Sequence, residues 1–261
     1  MERVKSDDGT PIAYQRSGKG PPLVLVHGTT ADHTRWTPIL AALERHFRVY
    51  AMDRRGRGES GDAEPYALER EFEDVAAVVN AARPQVNLLG HSYGALCALE
   101  AALRTTTHLH KLVLYEPGFP VDGIEMYPPG TREKLQAFLE QGDREGLLVA
   151  FFRDIVHVPE KEIALLRAEP VWQARLAAAH TLVREMAEAD YAFDPERFRG
   201  LAVPTLLLLG EHSPPFLKKP TERLASVLRN SRVVVMPGQG HVAMSTAPEL
   251  FLHEVMGFLN A

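Results

Sequence analysis

The pentapeptide Gly90-His91-Ser92-Tyr93-Gly94 is the part of this chain whose residue types and spacing best fit covalent chemistry. It has the form Gly-x-Ser-x-Gly and lies between an apolar run, Val86 to Leu89, and a segment of helical periodicity that begins near Tyr93. Three fixed positions filled by common residues recur by chance in about one chain in ten of this length, so the pentapeptide alone says little. The strand before it and the helix after it are what the chemistry requires. A tight turn at that point lifts the serine off the sheet. Its glycines let the flanking backbone pack closely, and the helix N-terminus aims amides at developing negative charge. A serine hydroxyl is a poor nucleophile at neutral pH, so Ser92 needs a base that takes its proton and returns it to the leaving group, and an acid that orients the base. The chain has 11 histidines and 34 acidic residues, so composition does not choose among them.

The elements around the pentapeptide alternate. Ile12 to Gln15 reads as an edge strand and Leu23 to Val26 as a buried one. A helix from about Pro38 to His46 leads to a strand at Arg48 to Met52. Apolar spacing at Phe72, Val75, Ala76 and Val79 predicts a helix over Leu68 to Ala82. The strand Val86 to Leu89, the helix Tyr93 to Arg104 and the strand Lys111 to Tyr115 follow. Such alternation predicts an α/β fold, a mostly parallel sheet with helices on both faces, because parallel neighbours need crossover connections. From about Thr131 to Met186 every convincing segment is helical. Residues 119–198 are therefore expected to form a helical insertion over one edge of a core built from 1–118 and 199–261. In the second core part, Thr205 to Leu209 and Arg232 to Val235 read as strands, with helices near Thr221 to Leu228 and from Pro248 to Leu259.

Composition narrows the function classes. With 261 residues, 45% hydrophobic and 24% charged, the chain is long enough to bury a sizeable core. Its formal net charge of -5 supplies no broad positive field for phosphate backbones or anionic lipid, so neither nucleic acid nor a membrane is an expected partner. The single cysteine, Cys97, forms no internal disulfide and removes zinc sites built from several cysteines; it reads as a small buried hydrophobe. Residues Met1 to Asp8 lack the apolar stretch of a secretory signal, and the apolar runs are far short of the roughly 20 residues that span a bilayer. A cytoplasmic location is the expectation.

Three further motifs accompany the pentapeptide in order: Val26-His27-Gly28-Thr29, Asp53-Arg54-Arg55-Gly56-Arg57-Gly58-Glu59-Ser60 and Gly238-Gln239-Gly240-His241. Together they resemble the His-Gly oxyanion motif, the Asp-x-x-Gly-x-Gly-x-Ser turn and the catalytic-histidine loop of the α/β-hydrolase superfamily. The resemblance covers both core segments. It implies an eight-stranded, mostly parallel sheet flanked by helices, with a helical cap. It makes His241 the base and the backbone amides of Tyr93 and Thr29 the oxyanion hole. In the Asp53 to Ser60 turn the glycines are expected to permit a tight bend, with Arg and Asp pairing across it.

The acid departs from the commonest pattern of that superfamily. Where a Gly-x-x-Asp is expected, the chain reads Gly210-Glu211-His212-Ser213, and a serine supplies no fixed charge. Two carboxylates remain, Glu211, two residues early, and Glu116, which follows the strand Lys111 to Tyr115. A minority of the superfamily, including haloalkane dehalogenases and the lactonase that opens zearalenone, places its acid there, about two dozen residues past the nucleophile. Glu116 lies 24 residues past Ser92 and is the preferred acid.

Ser92 in place of the aspartate used by dehalogenases and epoxide hydrolases of this fold points to acyl transfer to water. The resemblance implies no cofactor and no metal. The expected substrate is a small apolar carboxylic ester or lactone under a hydrophobic cap, with Trp36 and Trp172 as the candidate pocket contacts. A perhydrolase using the same triad and a hydrolase-fold binding protein with little turnover are the alternatives.

Overall fold

The computed structural model describes residues 1–261 other than 122, 157, 159, 169, 170 and 187–189, and other than the side chain of 162. Eight strands form one sheet: β1 (Glu2–Lys5), β2 (Pro11–Gly18), β3 (Pro22–Val26), β4 (Arg48–Met52), β5 (Val86–His91), β6 (Leu109–Tyr115), β7 (Thr205–Gly210) and β8 (Ser231–Met236). Their spatial order is β1-β2-β4-β3-β5-β6-β7-β8. β2 runs antiparallel to both its neighbours, and every pairing from β4 to β8 is parallel. β2 is therefore not the edge strand its sequence suggests. The edge is β1, whose short polar sequence carries no apolar alternation.

The central strands read as continuous apolar runs because both their faces are covered. Val24, Val26, Leu88, Leu112 and Leu114 pack on one face against α2 (Leu68–Ala82) and α3 (Tyr93–Arg104), through residues such as Phe72, Val75 and Leu99. Leu23, Leu25, Leu89, Val113 and Leu208 pack on the other against Ile39 and Leu43 of α1 (Thr37–Leu43) and against Phe251 and Val255 of the C-terminal helix Pro248–Asn260. The parallel register aligns the strand ends. Val26 sits beside Gly90, His91 beside Tyr115, and Tyr115 beside Leu208. The loops after β3, β5, β6 and β7 consequently emerge in one row at the carboxyl ends of the strands, where open α/β sheets bind ligands.

Between β6 and β7 come α4 (Thr131–Glu140), α5 (Arg144–Ala150), a π-helical turn at Phe151–Ile155, α6 (Glu160–Ala168), α7 (Val171–Ala177) and α8 (His180–Glu185). They share a small core of their own that includes Leu135, Leu147, Leu148, Phe152, Trp172 and Leu182. This segment contacts the loops at the strand ends. Arg175 donates to the Thr30 carbonyl after β3, and Arg184 and Glu185 contact the turn after β4. After β7, α9 (Pro215–Ala225) starts six residues earlier than its sequence suggests and runs through Pro220. Pro215 suits a first helical turn, and Leu217, Thr221 and Leu224 bury one face. A short α10 (Ala243–Thr246) and α11 (Pro248–Asn260) complete the chain. No helix among the described residues is long and apolar enough to cross a membrane.

Candidate active site

Ser92 occupies the turn between β5 and α3 with φ 57° and ψ -127°, a backbone conformation that L-residues rarely adopt. The turn is held by its own hydrogen bonds. The Ser92 amide donates to the Tyr115 carbonyl at 2.9 Å, and its carbonyl accepts from the Ala95 amide at 2.8 Å. The flanking glycines are sterically required. A Cβ on Gly90 would lie 2.5 Å from the Gly94 carbonyl oxygen, and one on Gly94 would lie 2.3 Å from that of His27. Gly28 likewise sits where a Cβ would meet the Ser92 Cβ at 2.9 Å, so the loop after β3 closes directly on the serine.

Glu116, the first residue after β6, is fully buried and also has positive φ, 49°. Its Oε1 accepts from the Gly210 amide at 2.6 Å, and its Oε2 lies 2.5 Å from Nδ1 of His241. The carboxylate thus fixes the ring, and with Nδ1–H donating to Glu116 the other ring nitrogen, Nε2, is the one left to accept a proton. Glu211 is spent elsewhere. It lies exposed, and its Oε2 accepts from the Gly238 amide at 2.7 Å, bracing the loop that leads to His241. Ser213 is buried with no partner for its hydroxyl.

Two residues hold the His241 loop: Tyr115, and His91, whose place inside the pentapeptide already marks it as a supporting residue. The Tyr115 hydroxyl donates to the Gly240 carbonyl and accepts from the Ala243 amide at 3.1 Å, so it clamps the loop on both sides of His241. His91 pairs its Nε2 with the His241 carbonyl at 2.7 Å, its ring centroid 4.6 Å from that of His241. Burial, reinforced by the nearby His241 and Arg35, pushes the His91 pKa well below its ordinary value, so it donates as a neutral ring. A signal for Tyr115 was present: a polar aromatic ends an apolar strand immediately before the acid.

The loop after β3, with Thr29, is anchored from beneath. His27 is buried; its Nδ1–H donates to the Gly28 carbonyl at 2.8 Å and its Nε2 accepts from the Arg54 amide at 3.1 Å. The Asp53 carboxylate takes the His33 amide and Nδ1 and the Glu59 amide, all within 2.9 Å. The expected Arg–Asp pairing across the turn does not form. Arg55 pairs with Asp8 and Asp74, and Arg54 pairs with Glu71 and Glu185 while its guanidinium stacks 4.2 Å above the Tyr93 ring. Asp32, His33 and Asp53 bring three potential metal-ligand atoms within 4.8 Å of one another. Their oxygens already serve protein donors, Asp32 accepting from the Thr34 amide, so the cluster is built as a hydrogen-bonded brace.

Ser92, His241 and Thr29 line one cavity of about 200 Å³, whose remaining wall is mostly apolar and includes Met126, Phe151, Phe152, Phe216 and Leu217. Tyr93 has its ring buried beneath the turn, where its hydroxyl lies 2.8 Å from that of Tyr66. The two tryptophans are not among the lining residues. Trp36 is wholly buried against the sheet and Trp172 packs inside the helical segment against Phe152. The adjacent residue Arg35 takes the lining position instead, because the 3-10 turn His33–Trp36 sends Trp36 inward.

Comparison with known proteins agrees with this architecture. The chain is 36% identical to an alpha/beta hydrolase of solved structure from Sphaerobacter thermophilus, with a TM-score of 0.86 over 99% of this chain and 100% of the other. It is 28% identical over 263 residues to the pimeloyl-[acyl-carrier protein] methyl ester esterase of Vibrio vulnificus, covering 95% of this chain and 98% of that protein. It is 25% identical over 276 residues to the 2-hydroxy-6-oxo-6-(2'-aminophenyl)hexa-2,4-dienoic acid hydrolase of Metapseudomonas resinovorans, covering 100% and 91% of the two chains. The sequence profile of one family matches residues 23–254, nearly the whole fold and every loop of the site, and the protein belongs to that family, the alpha/beta hydrolases.

Proposed function

We propose that the protein is a serine hydrolase that cleaves a small, largely apolar carboxylic ester or lactone through an acyl-enzyme on Ser92. The observation that carries this reading is that His241, held by the buried Glu116 at 2.5 Å, lines the same cavity as Ser92. Ser92 Oγ attacks the carbonyl carbon while His241 Nε2 takes its proton. Glu116 keeps the imidazole in the right tautomer and stabilises the imidazolium that forms. The amides of Tyr93 and Thr29 receive the oxyanion, and each such donor is worth about 2.7–4 kcal/mol in the transition state. His241 then hands the proton to the departing alcohol oxygen. It next deprotonates the water that attacks the acyl-enzyme and returns that proton to Ser92 Oγ as the acyl–oxygen bond breaks, which releases the acid and restores Ser92.

Residues 119–198 act as the cap of a core made of 1–118 and 199–261, and the apolar side chains they present exclude water from the acyl-enzyme until the site admits one. The mechanism asks for no cofactor, and its partner is a small molecule. Similarity to a protein named as a methyl ester esterase supports the ester as the bond cleaved. The test is covalent labelling with a fluorophosphonate, followed by mass spectrometry of the digest. The expected result is one adduct on the peptide carrying Ser92 and none in Ser92→Ala. Absence of labelling in folded wild type, or labelling that survives in Ser92→Ala, would overturn the reading.

A further inference from the structure

Among the described residues, Arg35 is the one charged residue lining the cavity that the mechanism leaves unused. Its Nε is buried with no hydrogen-bond partner, and among the described residues its guanidinium forms no ion pair. Asp32, the nearby carboxylate whose charge reaches it, is engaged instead with the Thr34 amide at 2.9 Å and the Thr34 hydroxyl at 2.5 Å. The surroundings make the charge costlier. Burial and then the neighbouring positive charge of Arg175 push the Arg35 pKa down to about 10. Arg175, on α7 of the helical segment, is engaged elsewhere, its Nε donating to the Thr30 carbonyl in the loop after β3 at 3.3 Å and its guanidinium lying 5.4 Å from the Phe152 ring centroid. Arg35 is close enough to the reacting groups for its charge to act on His91, which touches His241. A half-buried guanidinium whose Nε is sealed from water without a partner is held at a cost, and a bound anion offsets that cost.

We propose that Arg35 is the subsite for a carboxylate carried by the substrate, so that the ester cleaved at Ser92 is a half-acid with an apolar body rather than a neutral ester. The inference rests on the serine-hydrolase reading and refines its substrate class. A planar guanidinium accepts a carboxylate through parallel N–H···O bonds, and one unpaired positive charge matches a monoanion. The apolar wall formed by Met126, Phe151, Phe152 and Leu217 suits the body between the two ends of such a molecule. Arg35 then positions the scissile carbonyl and sets specificity; it takes no part in bond making.

The experiment compares kcat/KM for two matched pairs of esters. Mono-para-nitrophenyl adipate against para-nitrophenyl hexanoate places the charge on the acyl side. Para-carboxyphenyl acetate against para-carbamoylphenyl acetate places it on the alcohol side. Wild type, Arg35→Met and Arg35→Gln are assayed, each with its active sites counted by fluorophosphonate titration of Ser92. The expected result is that wild type favours the anionic member of at least one pair and that this ratio falls by about tenfold or more in the folded variants, chiefly through KM, as loss of a charge-assisted hydrogen bond requires. Arg35→Gln keeps a neutral polar group in place of the charge and supplies the answer if Arg35→Met does not fold. An anionic preference that survives both substitutions, or a neutral preference in both pairs, would overturn the subsite. No turnover of any of the four esters by folded wild type that also fails to label would instead overturn the hydrolase reading, and the subsite with it.

Discussion

Replacing Glu185 by alanine should destabilise the protein severely although the residue lies outside the reacting groups. Glu185 ends α8, is 2% exposed, and reaches from the helical segment into the turn after β4. Its Oε1 bonds Arg54 Nη2 and lies 2.5 Å from Arg57 Nη2, a contact close enough for a strong ion pair but too poorly aligned for a hydrogen bond. Glu71 is the other carboxylate in the cluster; burial would raise its pKa, yet the Arg54 and Arg57 charges outweigh that and hold it down. The cluster is already short of partners, since Arg54 Nη1 and Arg57 Nε are buried with none. In Glu185→Ala, two buried guanidinium groups share one carboxylate, and breaking a buried pair from one side costs about 3–5 kcal/mol. At about 2–4 °C per kcal/mol for domains of this size, the melting temperature followed by circular dichroism should fall by about 6–20 °C. Adding Arg57→Met should recover part of the loss, because the cost is surplus charge rather than missing packing. A fall under about 2 °C, or a double variant worse than the sum of its parts, would refute the reasoning.

Other consequences concern the His241 loop and the contact between the helical segment and the sheet. Tyr115→Phe removes the clamp on Gly240 and Ala243, so it should cost about 1–3 kcal/mol of stability and lower kcat by about tenfold to a hundredfold with little change in KM, read by steady-state ester hydrolysis; wild-type kinetics would contradict this. Asp62 receives hydrogen bonds from Arg184 at 2.8–2.9 Å and lies 3.4 Å from His180. Burial would raise its pKa, but the hydrogen bonds from His180 and Arg184 prevail and hold its carboxyl well below the ordinary value. A depressed folded pKa stabilises above the unfolded value and is lost as pH falls through the folded one. Melting temperatures of wild type and Asp62→Asn should therefore differ above about pH 4 and converge in stronger acid, and a gap that widens on acidification would sink the assignment.

Much of the fold was legible because local rules and the global fold agree. The bounds of β4, α2 and α3 follow directly from apolar spacing, and the glycines at 90 and 94 mark a turn that no other residue fits. β1 was invisible because three of its four residues are exposed at a sheet edge and need no apolar pattern. α9 starts six residues before Thr221 because the packing of Leu217 and Leu224 keeps the helix whole through Pro220. At the site, Ser92, Glu116 and His241 are proposed from motifs and spacing, but the groups that their clamps grip are not legible in local sequence. Tyr115 meets Gly240 and Ala243, and Glu185 meets Arg54, across well over a hundred residues of chain. Trp36 and Arg35 illustrate the remaining ambiguity: neighbours in a single 3-10 turn face opposite ways, and only the tertiary packing decides which one reaches the cavity.

The central claim is that Glu116 serves His241 in activating Ser92. Hydrolysis of a short-chain aryl ester by wild type, Glu116→Gln and Glu211→Gln, measured side by side, tests it most directly. The account predicts that Glu116→Gln loses about ten-thousand-fold in kcat, as an amide at this position favours the wrong imidazole tautomer, while Glu211→Gln stays within about tenfold of wild type, since it braces only Gly238. Collapse in Glu211→Gln with Glu116→Gln still active would contradict it.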